Sequence, residues 1–202
     1  MKQEYTNIAF ISYKREDEKW AKWLQKKLES YRIPTTIRNE NTSLPKYIRP
    51  IFRDKTDLSG GSLLHEELEK ELLASKYLII VCSPNATKSE WVNKEAATFI
   101  REGRVGNIIP FIVNGEPHAI ENTNECFPKA LLDMPSEQEL LGINVQEEGK
   151  SRAFIRLVSR IIDVELDSLW QRHKRQQRLN RIILGSLFFL ALIVALCCFV
   201  CL

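Results

Sequence analysis

Short apolar runs alternate with stretches of helical period through most of this 202-residue chain. Asn7 to Ser12 (NIAFIS) is a continuous apolar run of strand length, suited to a central strand covered on both faces. Trp20, Leu24, Leu28 and Tyr31 then recur at helical spacing, with Trp23 and Lys27 flanking them, and predict the first helix. A proline-containing stretch from Arg32 to about Arg49 carries no readable period. Ile48 to Phe52 predicts a second strand, and Arg53 to Ser62 (RDKTDLSGGS) a polar, glycine-containing loop. Leu64, Leu68 and Leu72 mark a second helix, and Tyr77 to Cys82 (YLIIVC) a fully apolar third strand. After a turn at Ser83 to Lys88, Ser89 stands where a cap is expected for a helix running to about Arg101. Asn107 to Val113 predicts a fourth strand, and Pro110 within it points to a bulge or a position near the sheet edge. A loop-rich stretch to about Glu148 holds a short fifth strand near Leu140 to Val145. The last helix of this region shows Phe154, Leu157, Ile161, Ile162, Leu166 and Leu169, and is expected to continue onward toward the C-terminus.

Alternating β and α elements with short apolar strands predict an α/β domain, a doubly wound parallel sheet covered by helices on both faces. In such sheets the ligand crevice lies beyond the C-terminal ends of the strands, where the strand order reverses. That rule selects three loops: Ser12–Glu16, Arg53–Ser62 and Ser83–Lys88.

Residues 182–202 (IILGSLFFLALIVALCCFVCL) have a different character, with no charge and no proline. As a helix they would extend about 31 Å, close to the ~30 Å hydrocarbon thickness of a bilayer, and they are read as a single transmembrane helix. Arg172, Lys174, Arg175, Arg178 and Arg181 precede it with no acid among them. With those five set aside, the net charge of +3 becomes about −2 over residues 1–171, so the basic excess is a membrane flank and gives no ground for nucleic-acid binding. Basic residues beside a span stay in the cytoplasm, which places the N-terminal domain there. MKQEYTNIAF lacks the apolar run of a signal peptide, in keeping with that orientation. The expected organisation is a domain at 1–166, a basic juxtamembrane helix at 167–181 and the span at 182–202, in the inner membrane of a cell.

Of the five cysteines, Cys197, Cys198 and Cys201 fall in the span, while Cys82 and Cys126 are far apart and match no metal spacing. His65, His118 and His173 are isolated and read as surface residues, so no metal site is expected. GSLLHEEL lacks the glycine spacing and the lysine of a phosphate-binding loop.

The three selected loops also carry a resemblance. FISYKRED is similar to the first box of TIR (Toll/interleukin-1 receptor) domains, IFRDKTDLSGGSLLHEELEKEL to the second, and SKYLIIVCSPNATKSEWVNKEA to the strand, loop and helix that end in Ser-x-Trp-x-x-x-Glu. The blocks occur in the family's order over roughly residues 5–105. The stretch before IFRD and the connector CFPKALL (126–132) look more like bacterial TIR-like proteins with a membrane helix after the domain. The resemblance implies a flavodoxin-like, five-stranded TIR fold.

It also implies an activity, because many TIR domains cleave NAD+ at the nicotinamide–ribose bond and Glu95 matches their essential glutamate. A carboxylate beside the sugar would stabilise the oxocarbenium-like transition state, and nicotinamide leaves neutral without a strong general acid. Trp91, four residues earlier, shares the helix face of Glu95. By the same resemblance Ser12, Tyr13 and Arg15 line the pocket, with Arg15 near the substrate's phosphates and Lys14 a further candidate. Asp54, Asp57, Leu58, Ser59, Gly60, Gly61 and Leu63 form a mobile loop and its hinge, and Ser83 ends the third strand beside the pocket. Ser59 stands where some active relatives have an acid and Leu63 where they have an aromatic. NAD+ enters as substrate, with no resident cofactor. The expected partners are further copies of the chain through TIR–TIR contacts, the lipid bilayer, and an upstream sensor or downstream effector. The alternatives are a non-catalytic TIR scaffold, which would not need a carboxylate at position 95, and a secreted effector, which the membrane helix opposes.

Overall fold

The computed structural model describes residues 5–53, 62–120, 123–135, 138–171, 174–175, 178 and 182. Strands β1 (Asn7–Ser12), β2 (Ile51–Arg53), β3 (Ser75–Cys82), β4 (Ile108–Ile112) and β5 (Ile143–Asn144) form one parallel sheet in the order β2-β1-β3-β4-β5. This is the flavodoxin-like order, with its switch point between β1 and β3. The helices are α1 (Glu18–Ser30), α2 (Thr35–Glu40), α3 (Ser62–Leu73), α4 (Glu90–Arg101), α5 (Lys129–Leu132), α6 (Val145–Glu148) and α7 (Lys150–Ile162).

The pleat divides the core. Phe10, Leu78, Ile80 and Cys82 pack with Leu72 of α3, Val92, Ala96 and Phe99 of α4, and Leu131 of α5. On the opposite side Trp20 and Trp23 of α1 meet Phe111 of β4, and Trp23 also meets Phe154 of α7 edge-on at 5.9 Å. Both faces of β1 and β3 are thereby buried, which is why their sequences read as unbroken apolar runs.

Several boundaries differ from expectation for local reasons. β2 starts at Ile51, because Pro50 has no N–H to give a ladder, and it takes in Arg53, which is buried rather than part of a loop. Pro110 lies in β4 without a bulge, just before Phe111 and Ile112, the residues that pair with the two-residue strand β5. The stretch before β2 contains α2 and an antiparallel bridge between Arg32 and Tyr47, and it buries Ile33, Ile37 and Ile48.

The last helix does not run on as expected. α7 ends at Ile162, where Asp163 takes the left-handed conformation (φ 53°) that terminates helices, and helix resumes only at 166–171. The chain divides there into two compact units, Met1–Ile162 and Asp163–Leu202, a few residues earlier than the expected domain end. Nearly all of the expected span, 183–202, lies outside the described residues, as do Arg172 and Arg181 of its basic flank. Among the described residues no helix is long and apolar enough to cross a membrane.

Candidate functional site

β1 and β3 end side by side, and the chain leaves them on opposite sides of the switch point. Ser12, the last residue of β1, is 1% exposed. Its hydroxyl donates to Glu95 Oε2 at 2.5 Å, joining residues 83 apart in sequence. Glu95 reaches this place because α4 starts immediately after the β3 turn. Ser89 Oγ accepts the Val92 N–H at 3.4 Å and fixes the helix start, and Glu95 follows in the second turn. A hydroxyl donating to a carboxylate makes a charge-assisted bond that fixes the carboxylate's orientation.

Trp91 lies one turn before Glu95, and both line a small cleft between α3 and α4 with Leu68, Glu69, Leu72, Lys94 and Thr98. The Lys94 ammonium sits 5.2 Å from the centre of the Trp91 ring. The cavity volume is about 30 Å³, the share of one water molecule. Small-molecule sites are typically about ten times larger or more, so the described residues provide a wall of a site and no complete pocket.

The loop after β1 is held from both sides. On the β2 side, buried Arg53 donates through Nη1 to the Tyr13 hydroxyl at 2.8 Å and to Glu18 Oε1 at 3.4 Å, and through Nε to Gln25 Oε1 at 3.1 Å. Glu18 also meets Lys22 at 2.7 Å; that bond, and secondarily Arg53, draw its carboxyl below the usual range. On the β3 side, buried Asp17 accepts from Ser83 Oγ at 2.5 Å and from Asn85 Nδ2 at 3.3 Å. Ser83 Oγ in turn accepts the N–H groups of Asn85 and Ala86 at 3.1 and 3.3 Å.

Of the residues singled out in the sequence, the structure brings Ser12, Trp91 and Glu95 together and sets Ser83 on the neighbouring loop. The hydroxyl of Tyr13 is turned to Arg53. Arg15 is exposed, at the start of a single 3-10 turn, Arg15–Asp17. Asp54, Asp57, Leu58, Ser59, Gly60 and Gly61 lie outside the described residues. Leu63 belongs to the first turn of α3, and its side chain is likewise outside them. Asp17 and Arg53 were quoted in the sequence blocks without a role. Asp17 reads locally as a cap for α1, yet its side chain makes no cap bond and reaches the β3 turn instead.

Two thiols lie close by. Burial pushes the Cys82 thiol well up and raises that of Cys126 to about 12. Glu125, also buried, accepts the N–H groups of Cys126, Phe127 and Ala119 at 2.8, 2.7 and 3.1 Å and so staples the connector at 126–132 to the loop before it. His118 meets Glu139 at 3.1 Å on the surface. No group of acidic, histidine or cysteine side chains among the described residues could hold a metal ion.

The family model of the TIR domain matches residues 9–158. The chain belongs to the TIR-domain family. Its similarity to the NAD(+) hydrolase ApTIR of Actinoplanes sp. is 30% identity over 66 residues, 33% of this chain and 9% of that protein. The chain therefore spans a small part of that relative's length. The TIR domains in the structure of the activated Roq1 resistosome directly recognizing the pathogen effector XopQ are 17% identical to it, with a TM-score of 0.48, covering 76% of this chain and 98% of that one.

Proposed function

We propose that this TIR domain is a membrane-anchored NAD+ glycohydrolase or cyclase that cleaves the nicotinamide–ribose bond, in bacterial anti-phage signalling or in NAD depletion. The observation that carries the reading is the oriented carboxylate of Glu95, bonded to Ser12 at the mouth of the β1/β3 switch point. Similarity to a protein named as an NAD(+) hydrolase supports it. In this reading Glu95 stabilises positive charge developing at the ribose, and Ser12 keeps the carboxylate in one orientation. Trp91 supplies an apolar wall, and Arg15 attracts the substrate's phosphates. Asp57, Leu58, Ser59, Gly60 and Leu63 complete the grip on substrate.

In the same proposal the chain works as a homo-oligomer, in which the loop between β2 and α3 of one copy completes the pocket of the next. The span at 182–202 anchors it in the inner membrane with the TIR domain in the cytoplasm. Confinement to a membrane raises the local concentration of copies, as a tether does for linked modules. An upstream sensor or downstream effector would act on this assembly, and nucleic acid has no part in it.

A second reading is a non-catalytic TIR scaffold, in which the Ser12–Glu95 bond serves only to tie β1 to α4. Nicotinamide release from NAD+ by the purified full chain separates the two. Release by wild type that falls about 10²- to 10³-fold in Glu95→Ala is the result expected of the enzyme. Equal release by the two proteins would remove Glu95 from the chemistry, and no release by wild type in detergent or liposomes would favour the scaffold.

A further inference from the structure

Asp17 is a buried carboxylate to which the proposed reaction assigns no part. It is 8% exposed, and among the described residues its side-chain partners are neutral: the Ser83 hydroxyl at 2.5 Å and the Asn85 amide at 3.3 Å. A buried charge without a cation is costly unless its hydrogen bonds are good, so this residue type at this place calls for an explanation beyond packing. Its own helix does not provide one, since its side chain makes no cap bond to α1.

The bonds it does make cross the switch point. Asp17 belongs to the loop that follows Ser12, and Ser83 and Asn85 belong to the turn that leads into α4 and Glu95. Ser83 Oγ passes the restraint on by accepting the Asn85 and Ala86 N–H groups, which begin the turn before the Ser89 cap. The restraint therefore runs from Asp17 to Ser83, to the turn, to the start of α4, and so to the place from which Glu95 meets Ser12.

We propose that Asp17 is a positioning residue: its carboxylate latches the Ser83–Lys88 turn across the β1/β3 switch point and so sets the distance at which Glu95 faces Ser12 and the substrate. This rests on the NAD+-cleaving reading for its catalytic consequence, while the latch itself is a matter of structure. An asparagine at 17 keeps the shape but replaces one acceptor oxygen by a donor, facing Ser83 and Asn85 groups that themselves donate. The latch would loosen with no side chain removed. A displacement of α4 by a fraction of an ångström acts on the chemical step more than on ground-state binding.

The test uses the full chain with Asp17→Asn, Ser83→Ala, Ser83→Thr and the Asp17→Asn/Ser83→Ala double variant. Nicotinamide release is expected to fall about tenfold in kcat for Asp17→Asn and for Ser83→Ala, with KM for NAD+ within about twofold. The double variant should be no worse than the weaker single one, because both cut the same bond, and Ser83→Thr, which keeps the hydroxyl, should recover most of the rate. Multiplying losses in the double variant, or an unchanged kcat in both singles, would overturn the proposal. Hydrogen exchange judges the latch without activity. In Asp17→Asn the Asn85 and Ala86 amides should exchange at least tenfold faster while Leu78 to Val81 stay protected. If wild type releases no nicotinamide, the NAD+ reading fails and this exchange decides: faster exchange confined to the turn supports the latch, and unchanged exchange overturns it. Should Asp17→Asn not fold, Asn85→Ala gives the exchange comparison at Ala86, because it removes the Asn85 side-chain bond to Asp17 and leaves Ser83 Oγ and the backbone amides in place.

Discussion

The two ends of the sheet use polar side chains in different ways. At the end where β3 and β4 begin, Arg104 reaches the backbone carbonyls of Leu73 (3.3 Å), Ser75 and Lys76 (3.1 Å), and its guanidinium lies 4.0 Å from the centre of the Phe99 ring and 5.0 Å from that of Tyr5. At the end where β1 and β3 stop, Ser12 bonds Glu95, Asp17 bonds Ser83 and Asn85, and Arg53 bonds Tyr13, all side chain to side chain. Carbonyl acceptors are supplied by any sequence, so the Arg104 hub specifies one residue and closes the fold. A side-chain pair specifies two residues at once, and at this end the pairs seal no core. Asn7 and Glu71 also pair side chain to side chain at the Arg104 end, at 2.7 Å, so the difference is one of density: several such cross-links converge at the Ser12 end, where the proposed site lies.

Substitutions should separate the two ends. The largest effect expected is on rate at the Ser12 end. Glu95→Ala should lower nicotinamide release about 10²- to 10³-fold while moving the unfolding free energy by less than about 1 kcal/mol, as for a half-buried surface side chain. A large loss of stability measured by urea unfolding would show that Glu95 also holds the fold and would blur the contrast.

The thiols beside the Ser12 end ask whether that end is packed or open. Cys126 is raised to about 12 from an ordinary 9.0, chiefly by burial, so its thiolate is disfavoured in the folded state. The stability associated with it is complete below pH 9 and is lost as pH rises from about 9 toward 12. At pH 8 alkylation of Cys126 by iodoacetamide, followed by peptide mapping, should be at least about a hundredfold slower folded than in urea. Comparable rates would mean an open, watered end.

Arg104→Ala is the mirror of Glu95→Ala. It removes charged hydrogen bonds to three carbonyls and the cover over Phe99, and should cost about 2–3 kcal/mol of unfolding free energy. The rate per folded molecule should be unchanged, because Arg104 lies at the far end of the sheet. Ser12→Ala should cost about tenfold in rate with little change in stability, since it frees the Glu95 carboxylate without removing it. Ser89→Ala should have the smallest effect, about 1 kcal/mol from the lost cap of α4. A loss in rate as large as that of Ser12→Ala would show that α4 transmits strain from its cap to Glu95.

What could be read in the sequence divides along the same line. β1, β3 and β4 are apolar runs, and the Ser89 cap and the helix it starts are local patterns, so each was visible in its own window. The switch-point rule then picked, from the order of elements alone, the Ser12–Glu16 and Ser83–Lys88 loops that follow β1 and β3 in the structure, while the third, Arg53–Ser62, lies almost wholly outside the described residues. The pairs across the site were invisible for the converse reason. Nothing near Asp17 says that it bonds residues 66 and 68 positions away, and before an amphipathic helix an Asp is ordinarily a cap. Arg53 looked like the start of a polar loop because a charged residue ending a strand carries no periodic signal. α2 was hidden because Ile33, Ile37 and Ile48, all buried, are spread among prolines and polar residues without a period. α7 was read too long because Leu166 and Leu169 keep the apolar spacing past a break that is set by the backbone at Asp163.

The central claim is that the charge of Glu95, held in place by Ser12, does the chemistry. Glu95→Gln tests this most directly, because glutamine keeps the length of the side chain and an oxygen able to accept from Ser12 while removing the charge. Initial rates of nicotinamide release from NAD+ should fall in Glu95→Gln about as far as in Glu95→Ala, with the unfolding midpoint of wild type retained. A Glu95→Gln protein that releases nicotinamide at the wild-type rate would contradict the account.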